Sequence, residues 1–293
     1  MSVLAVSEPR AREASRFRRF RRKTPAGLGL IIVVSWILIA YVVPLIVPLD
    51  PLTTHPADRL TPPGSQYLLG SDTFGRGILD RLVGGAAISL AIGAVTTAFS
   101  AIIGITIGLI GGYVKFLGGL LMRINDGIMA FPGALFAIVL VAVFGRGFMQ
   151  IVIALTVIFV PTFARITYGE VVSLRGAGYV RNAISVGATP LRVIGRHIMP
   201  NLVSSLIVQA TFVCATAILI EASLGFIGAG LAPPAPSWGV MVSEGQAYIR
   251  TAWWVLVFPC IAIASLIFGL CLLGDKISDQ LENPSDKLPN TTA

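Results

Sequence analysis

The sequence predicts an all-α membrane protein with six transmembrane helices and both termini in the cytoplasm. Two features of composition point there. Of the 293 residues, 55% are hydrophobic and only 12% are charged, where a soluble chain carries about one quarter charged residues. The apolar residues fall in runs near the length of ~20 that an α-helix needs to cross a bilayer. A third observation sets the orientation. With the N-terminus inside, seventeen of the twenty-two Lys and Arg residues lie in inner segments, as the positive-inside rule requires.

The spans follow in order. The first is expected over 28–49, preceded by Thr24-Pro25 as a helix cap and first-turn proline. The second covers 88–112 and the third 128–144. The third is short, and Phe131-Pro132 near its start predicts a kink or a break there. The fourth covers 148–166, the fifth 202–220 and the sixth 251–273, where Trp253 and Trp254 suit the outer interfacial belt. This divides the chain into a basic cytoplasmic tail (1–26), a first span with an outer loop (27–85), a core transmembrane domain (86–275) and a cytoplasmic C-terminal tail (276–293). No polar stretch is long enough to enclose a soluble core.

The net charge of +8 does not indicate nucleic acid, because the basic residues flank apolar spans. The run RFRRFRRK near the N-terminus reads as an anchor for anionic lipid. The apolar stretch after it is too long for a signal core, so it is expected to stay attached. Cys214, Cys260 and Cys271 all lie in apolar spans and read as buried free thiols. His55 and His197 are far apart and have no ligand-like neighbours, so no metal site is predicted.

Four segments stand out. Residues 179–201, YVRNAISVGATPLRVIGRHIMPN, form a polar island between spans. Arg181, Arg192, Arg196 and His197 alternate there with Val180, Val186, Leu191, Val193 and Ile194. A simple linker would not need that apolar content, whereas a short helix presented to a soluble partner would. In the outer loop, Asp72, Arg76, Asp80 and Arg81 have helical spacing, and Asp72 could pair with Arg76. By chemistry alone that loop reads as a solvated helix on the membrane surface. Residues 222–249 are apolar but cut by glycines and by Pro233, Pro234 and Pro236. They cannot form a spanning helix and are expected to fold back and line or plug the outer mouth. Glu221 closes the fifth span just before this segment, so it is a candidate for the path or for a partner charge. In the second span, Gly93, Ala94, Gly104 and Gly108 are spaced for close helix packing. The chain contains no GxxxxGK[ST] phosphate loop, nucleophile elbow or HExxH, and no obvious internal repeat.

The island resembles the cytoplasmic signature of ABC importer permeases: EAA, three residues, G, nine residues, I-x-L-P. Gly187 and Pro200 stand at the right separation, with Met199 in the leucine place and Ala183 as the second alanine. LGSDTFGRGILDRLVGGAAISL (69–90), GFIGAGLAPPAPSWGVMVSEG (225–245) and WWVLVFPCIAIASLIFGLCLLGDKISDQLENP (253–284) are similar to blocks of the second, C-type permease of dipeptide, oligopeptide and nickel importers. The resemblance spans 69–284 and leaves the N-terminal tail outside. It departs at Arg181, where the family has glutamate, and at Asn182, where it has alanine.

This resemblance implies a type I ABC importer permease fold and no enzymatic activity in this chain. It implies a heterodimer with a second, similar permease, two cytoplasmic ATPases that bind ATP and Mg, and an external solute-binding protein. The coupling helix is expected at about 177–190, with Arg181, Asn182, Ala183, Gly187, Ala188, Arg192 and Pro200 contacting an ATPase. Glu221, Phe226, Pro233, Pro234 and Trp238 are expected at the outer gate or along the path. The cargo implied is di- or oligopeptide, with nickel or another small solute as the alternative. An ion-coupled secondary transporter is the rival class.

Overall fold

The computed structural model describes residues 27–282. The basic tail, the Thr24-Pro25 cap and the last eleven residues lie outside the described part. Within it, five helices are long and apolar enough to cross a membrane: Leu28–Ile46, Ile78–Tyr113, Phe148–Arg175, Pro190–Ile227 and Trp254–Gln280. The predicted third span supplies a sixth crossing only as a bent pair, Phe116–Met129 with Gly133–Phe144, at 89°. Pro132 sits in the break, as expected of a ring that cannot donate a backbone hydrogen bond.

The first span is α1 (Leu28–Tyr41) with a short continuation, α2 (Val43–Ile46). Pro44 lies in the first turn of α2. It has no N–H to return to α1, so the helix breaks beside it. The second span, α3 (Ile78–Tyr113), begins ahead of the predicted start. The bent pair is α4 (Lys115–Met129) and α5 (Gly133–Phe144). The fourth span, α6 (Phe148–Arg175), outruns its apolar core toward its C-terminus. The island holds α7 (Gly178–Ser185) and α8 (Pro190–Val193). The fifth span, α9 (Met199–Ile227), passes well beyond Ile220. After a loop come α10 (Trp238–Gln246) and the sixth span, α11 (Trp254–Glu282). Residues 276–282 continue the helix of the sixth span.

Packing follows small residues rather than apolar stripes, as expected where lipid and core are equally greasy. A Cβ added at Gly104 would lie 2.6 Å from the Cβ of Phe163, and one at Gly108 would lie 2.5 Å from the Cβ of Thr167. The backbones of α3 and α6 are in near contact there. Gly93 meets α9 at Cys214 and Ile218, while Ala94 points outward and takes no part. The core has two parts. One joins α3, α5, α6 and α9 through residues such as Ile92, Ile151, Leu155 and Leu202. The other joins α1, α3, α10 and α11 around Ile78, Trp238, Met241 and Leu266. Trp36 of α1 donates from Nε1 to Ser265 of α11 at 3.0 Å and meets Trp238 edge-on at 5.0 Å between ring centroids.

Candidate coupling and gating sites

The 177–200 island is anchored at three points and open elsewhere. Val180, Val193 and Ile198 are fully buried. Tyr179, Ile184, Val186 and Leu191 are exposed, the last two at 85% and 83%, and so are Arg181, Asn182 and Arg192. These exposed apolar residues are the ones a partner would cover. Ala183 and Ala188 are half-buried, and Ala188 packs on the core.

The glycine of the signature caps a helix. α7 ends at Ser185, and Gly187 follows at φ +86. Its N–H bonds the carbonyl of Ile184 at 3.0 Å, and the N–H of Ala188 bonds the carbonyl of Ala183, also at 3.0 Å. These two bonds are the Schellman closure, which needs a left-handed residue at the first position beyond the cap. No atom lies within 4 Å of a Cβ built on Gly187, so backbone conformation, not space, demands glycine. The helical segment is thus shorter than 177–190, because the turn at 186–189 reverses the chain.

The proline of the signature acts just as locally. Pro200 stands in the first turn of α9. Having no N–H, it cannot bond back to the carbonyl of Arg196. The chain instead adopts a π turn over Ile194–Ile198, with the Met199 N–H reaching the carbonyl of Ile194. Tyr179 of α7 and His197 of this turn have ring centroids 6.3 Å apart, so α7 rests on the entry to α9.

At the other end of the bundle, 222–249 folds back as expected, although its first residues complete α9 and 238–246 are helical. Pro233 and Pro234 are exposed. Phe226 is 42% exposed and lines an apolar cleft with Ile227, Val242 and Ile263. Glu221 and Trp238 are placed otherwise than the sequence suggests. Both are fully enclosed. Glu221 does not close a span but sits within α9, where Ser89 of α3 donates to it at 2.9 Å and Ser237 at 2.8 Å. Trp238 donates from Nε1 to the Leu82 carbonyl at 2.9 Å. The hydroxyl donors and the indole hold α3, α9 and α10 together. Neither residue faces an open path in this conformation.

The outer loop is likewise not a solvated helix. Asp72 and Arg76 do pair, at 2.6 Å, but across a tight loop closed by an antiparallel bridge between Ser71 and Gly77. Arg81 of α3 joins both Asp72 and Glu244 of α10, the latter at 2.7 Å, and Arg76 reaches Glu244 at 3.2 Å. The Asp72, Arg76 and Arg81 side chains are nearly sealed from solvent. Burial by itself would raise the Asp72 pKa. The backbone N–H groups of Arg76 and Phe74 and the Arg81 guanidinium outweigh it and hold the carboxyl below its usual range.

The helical bundle with a short capped helix between its fourth and fifth spans defines a class, that of ABC importer permeases. The structure matches the inward-facing MetNI methionine ABC transporter with a TM-score of 0.56 at 20% identity, covering 68% of this chain and 95% of that one. Residues 104–283 match the family model described as binding-protein-dependent transport system inner membrane component. Residues 12–63 match the N-terminal TM domain of oligopeptide transport permease C, so the likeness reaches into the N-terminal tail after all.

Three relatives agree over nearly the whole chain. A Brucella suis protein, provisionally named a peptide transport system permease, is 40% identical over 90% of each chain. The dipeptide transport system permease protein DppC of Alkalihalophilus pseudofirmus is 39% identical, covering 91% of this chain and 88% of that one. The glutathione transport system permease protein GsiD of Escherichia coli is 38% identical over the same shares. The chain belongs to the binding-protein-dependent transport system inner membrane component family. It is a multi-pass permease subunit of an ABC transporter, not an enzyme.

Proposed function

We propose that this chain is one of two permeases in an ATP-driven importer of di- and oligopeptides. Its relatives are named for peptide, dipeptide and glutathione transport, and glutathione is itself a small peptide. Both termini and the 177–200 island lie in the cytoplasm. Of the five basic residues on the outer side, Arg76 and Arg81 are neutralised by Asp72 and Glu244, which sharpens the inward bias of free positive charge.

The observation that carries the reading is α7: a capped helix flanked by the exposed side chains of Val186 and Leu191. It seats in a groove of a cytoplasmic ATPase as an amphipathic helix does. Arg181, Asn182, Ala183, Gly187, Ala188, Arg192 and Pro200 make or shape that contact. Two ATPases bind ATP and Mg, close, and draw the two permeases' coupling helices together. The bundles then swing as rigid bodies between inward- and outward-facing states. Cargo arrives from an external binding protein past Phe226, Pro233 and Pro234 at the outer mouth, with Glu221 and Trp238 stiffening the frame behind them.

The test uses the assembled complex in proteoliposomes. Dialanine uptake should require ATP and the binding protein. Replacing both Val186→Asp and Leu191→Asp should cut binding-protein-stimulated ATPase about tenfold or more, the size of losing a contact hot spot. Unchanged stimulation would remove the island from the coupling role.

A further inference from the structure

We infer that the surface receiving the island is acidic: the groove of the partner ATPase sets carboxylates against Arg181 and Arg192 and an apolar floor against Val186 and Leu191. This rests on the import reading above and adds the chemistry of the partner.

Between Glu170 and Glu221 the chain has no Asp or Glu, whereas Arg175, Arg181, Arg192, Arg196 and His197 all fall there. Arg175 is used within the chain. It donates to the Tyr113 carbonyl at 2.8 Å and lies over the Tyr113 ring. Arg181, Arg192 and Arg196 are exposed, and none of the three has an ion-pair partner among the described residues. Val180 is buried and so fixes which side of α7 meets the bundle, while Arg181, Asn182 and Ser185 are left exposed. Elsewhere this chain answers its own guanidinium groups. Asp72 and Glu244 meet Arg76 and Arg81, and Asp126 meets Arg165. On the island the carboxylates have to come from outside.

The height of the island favours a protein over a lipid headgroup as their source. Glu170 and Ser173 of α6 and Asn201, Ser204 and Ser205 of α9 line a polar cleft of about 340 Å³ between the two helices. The island joins the far ends of α6 and α9, beyond that cleft, so it hangs below a neck that is already polar. Phosphates could meet the arginines there, but no acyl chain reaches Val186 and Leu191, which stand between Arg181 and Arg192 in the chain and are exposed. A protein groove covers both kinds of side chain. Covering a guanidinium strips its water and is favourable only where a carboxylate replaces it, and the forked donors of arginine fit a carboxylate with two parallel bonds. A neutral or basic groove would oppose the contact that Val186 and Leu191 favour.

The chain has no lysine between Lys115 and Lys276, so R181K or R192K places a single amine on the island. In the assembled complex a water-soluble carbodiimide, which joins an amine only to a carboxylate it touches, should link each variant to the ATPase subunit, and peptide mass spectrometry then names the acid. The ATPase should be held by tagged R181E permease at least about tenfold more weakly than by R181Q, the scale of reversing one close charge pair, with the gap shrinking as salt is raised. Changing the linked acid to lysine should restore R181E. R146E makes the same charge change on the exposed loop between α5 and α6 and should match the native complex. An ATPase that stays bound and stimulated yet links to neither lysine, or that responds equally to R181E and R181Q, overturns the acidic groove and leaves the import reading standing. Links to the second permease alone overturn it as well. So does an R181E defect that appears only in phosphatidylglycerol-rich vesicles with ATPase retention unchanged, which would assign the arginines to lipid. If no ATPase co-purifies with the native permease, the import reading itself falls, and this inference with it.

Discussion

Arg81 and Glu244, 163 positions apart, meet at 2.7 Å where the second span begins and the outer segment folds back. With Asp72 and Arg76 they tie the outer loop, α3 and α10 into one block. Taking a single member away strands the others in a site that excludes water. D72N leaves two buried guanidinium groups short of a carboxylate, and removing one partner of such a pair costs about 3–5 kcal/mol. The purified chain should unfold at markedly lower temperature or denaturant, and protease should cut within residues 50–77 in the variant first.

The same carboxyl predicts a pH dependence. The Asp72 pKa is lowered in the folded chain, so its contribution is complete above its unfolded value of about 3.9 and is lost as pH falls through the folded value. The stability gap between the native chain and D72N should therefore stay flat from pH 8 to pH 5 and close only in stronger acid. A gap that narrowed between pH 7 and pH 5 would mean that Asp72 is not held by Arg81 and the loop N–H groups.

Gly187 calls for a graded series. Its φ of +86 costs an ordinary L-residue about 1–2 kcal/mol, and asparagine less. G187N should keep most of the binding-protein-stimulated ATPase, and G187V should lose it by unwinding the last turn of α7. Insertion into the membrane should be normal in both, since the position touches nothing. Equal activity of the two variants would show that the left-handed turn does not matter for coupling.

How much could be read from the sequence depended on range. The glycine cap and the π turn are consequences of Gly187 and Pro200 acting on neighbours within six residues, so the spacing of the signature already contained them. The break at Pro132 was legible for the same reason. The buried ion cluster was not. Local spacing offers Asp72 and Arg76, but Glu244 is brought in only by the fold-back of 238–246. The enclosure of Glu221 likewise depends on Ser89 and Ser237, 132 and 16 positions away. Span ends were misjudged where helices outrun their apolar cores, because the added turns of α3 and α9 pack on residues 236–240 and those of α6 pack on Gly108 and Gly112 of α3.

Gly104 and Gly108 test whether α3 and α6 move as a unit. At Gly104 a methyl group would sit 2.6 Å from both the Phe163 Cβ and the Val160 carbonyl oxygen, so backbone must yield. Such overpacking costs typically ~1–3 kcal/mol, and G104V and G108V should lower the melting midpoint and the yield of assembled complex. G119A, where nothing lies within 4 Å, is the control and should not.

Glu221 separates a structural acid from a gating one. Its two oxygens accept hydrogen bonds from Ser89 and Ser237, and each serine can also accept. Glutamine keeps the shape, still accepts one hydroxyl and donates to the other, so E221Q should assemble and transport at close to the native rate. E221A leaves both buried hydroxyls unpaired, at about 1–3 kcal/mol each, and opens a cavity besides. It should destabilise the outer half of the bundle, seen as faster hydrogen exchange in 84–90 and 237–245. If E221Q abolished uptake while the fold and its melting midpoint were intact, the carboxylate charge itself would be required, and the acid would belong to the transport cycle rather than to the frame.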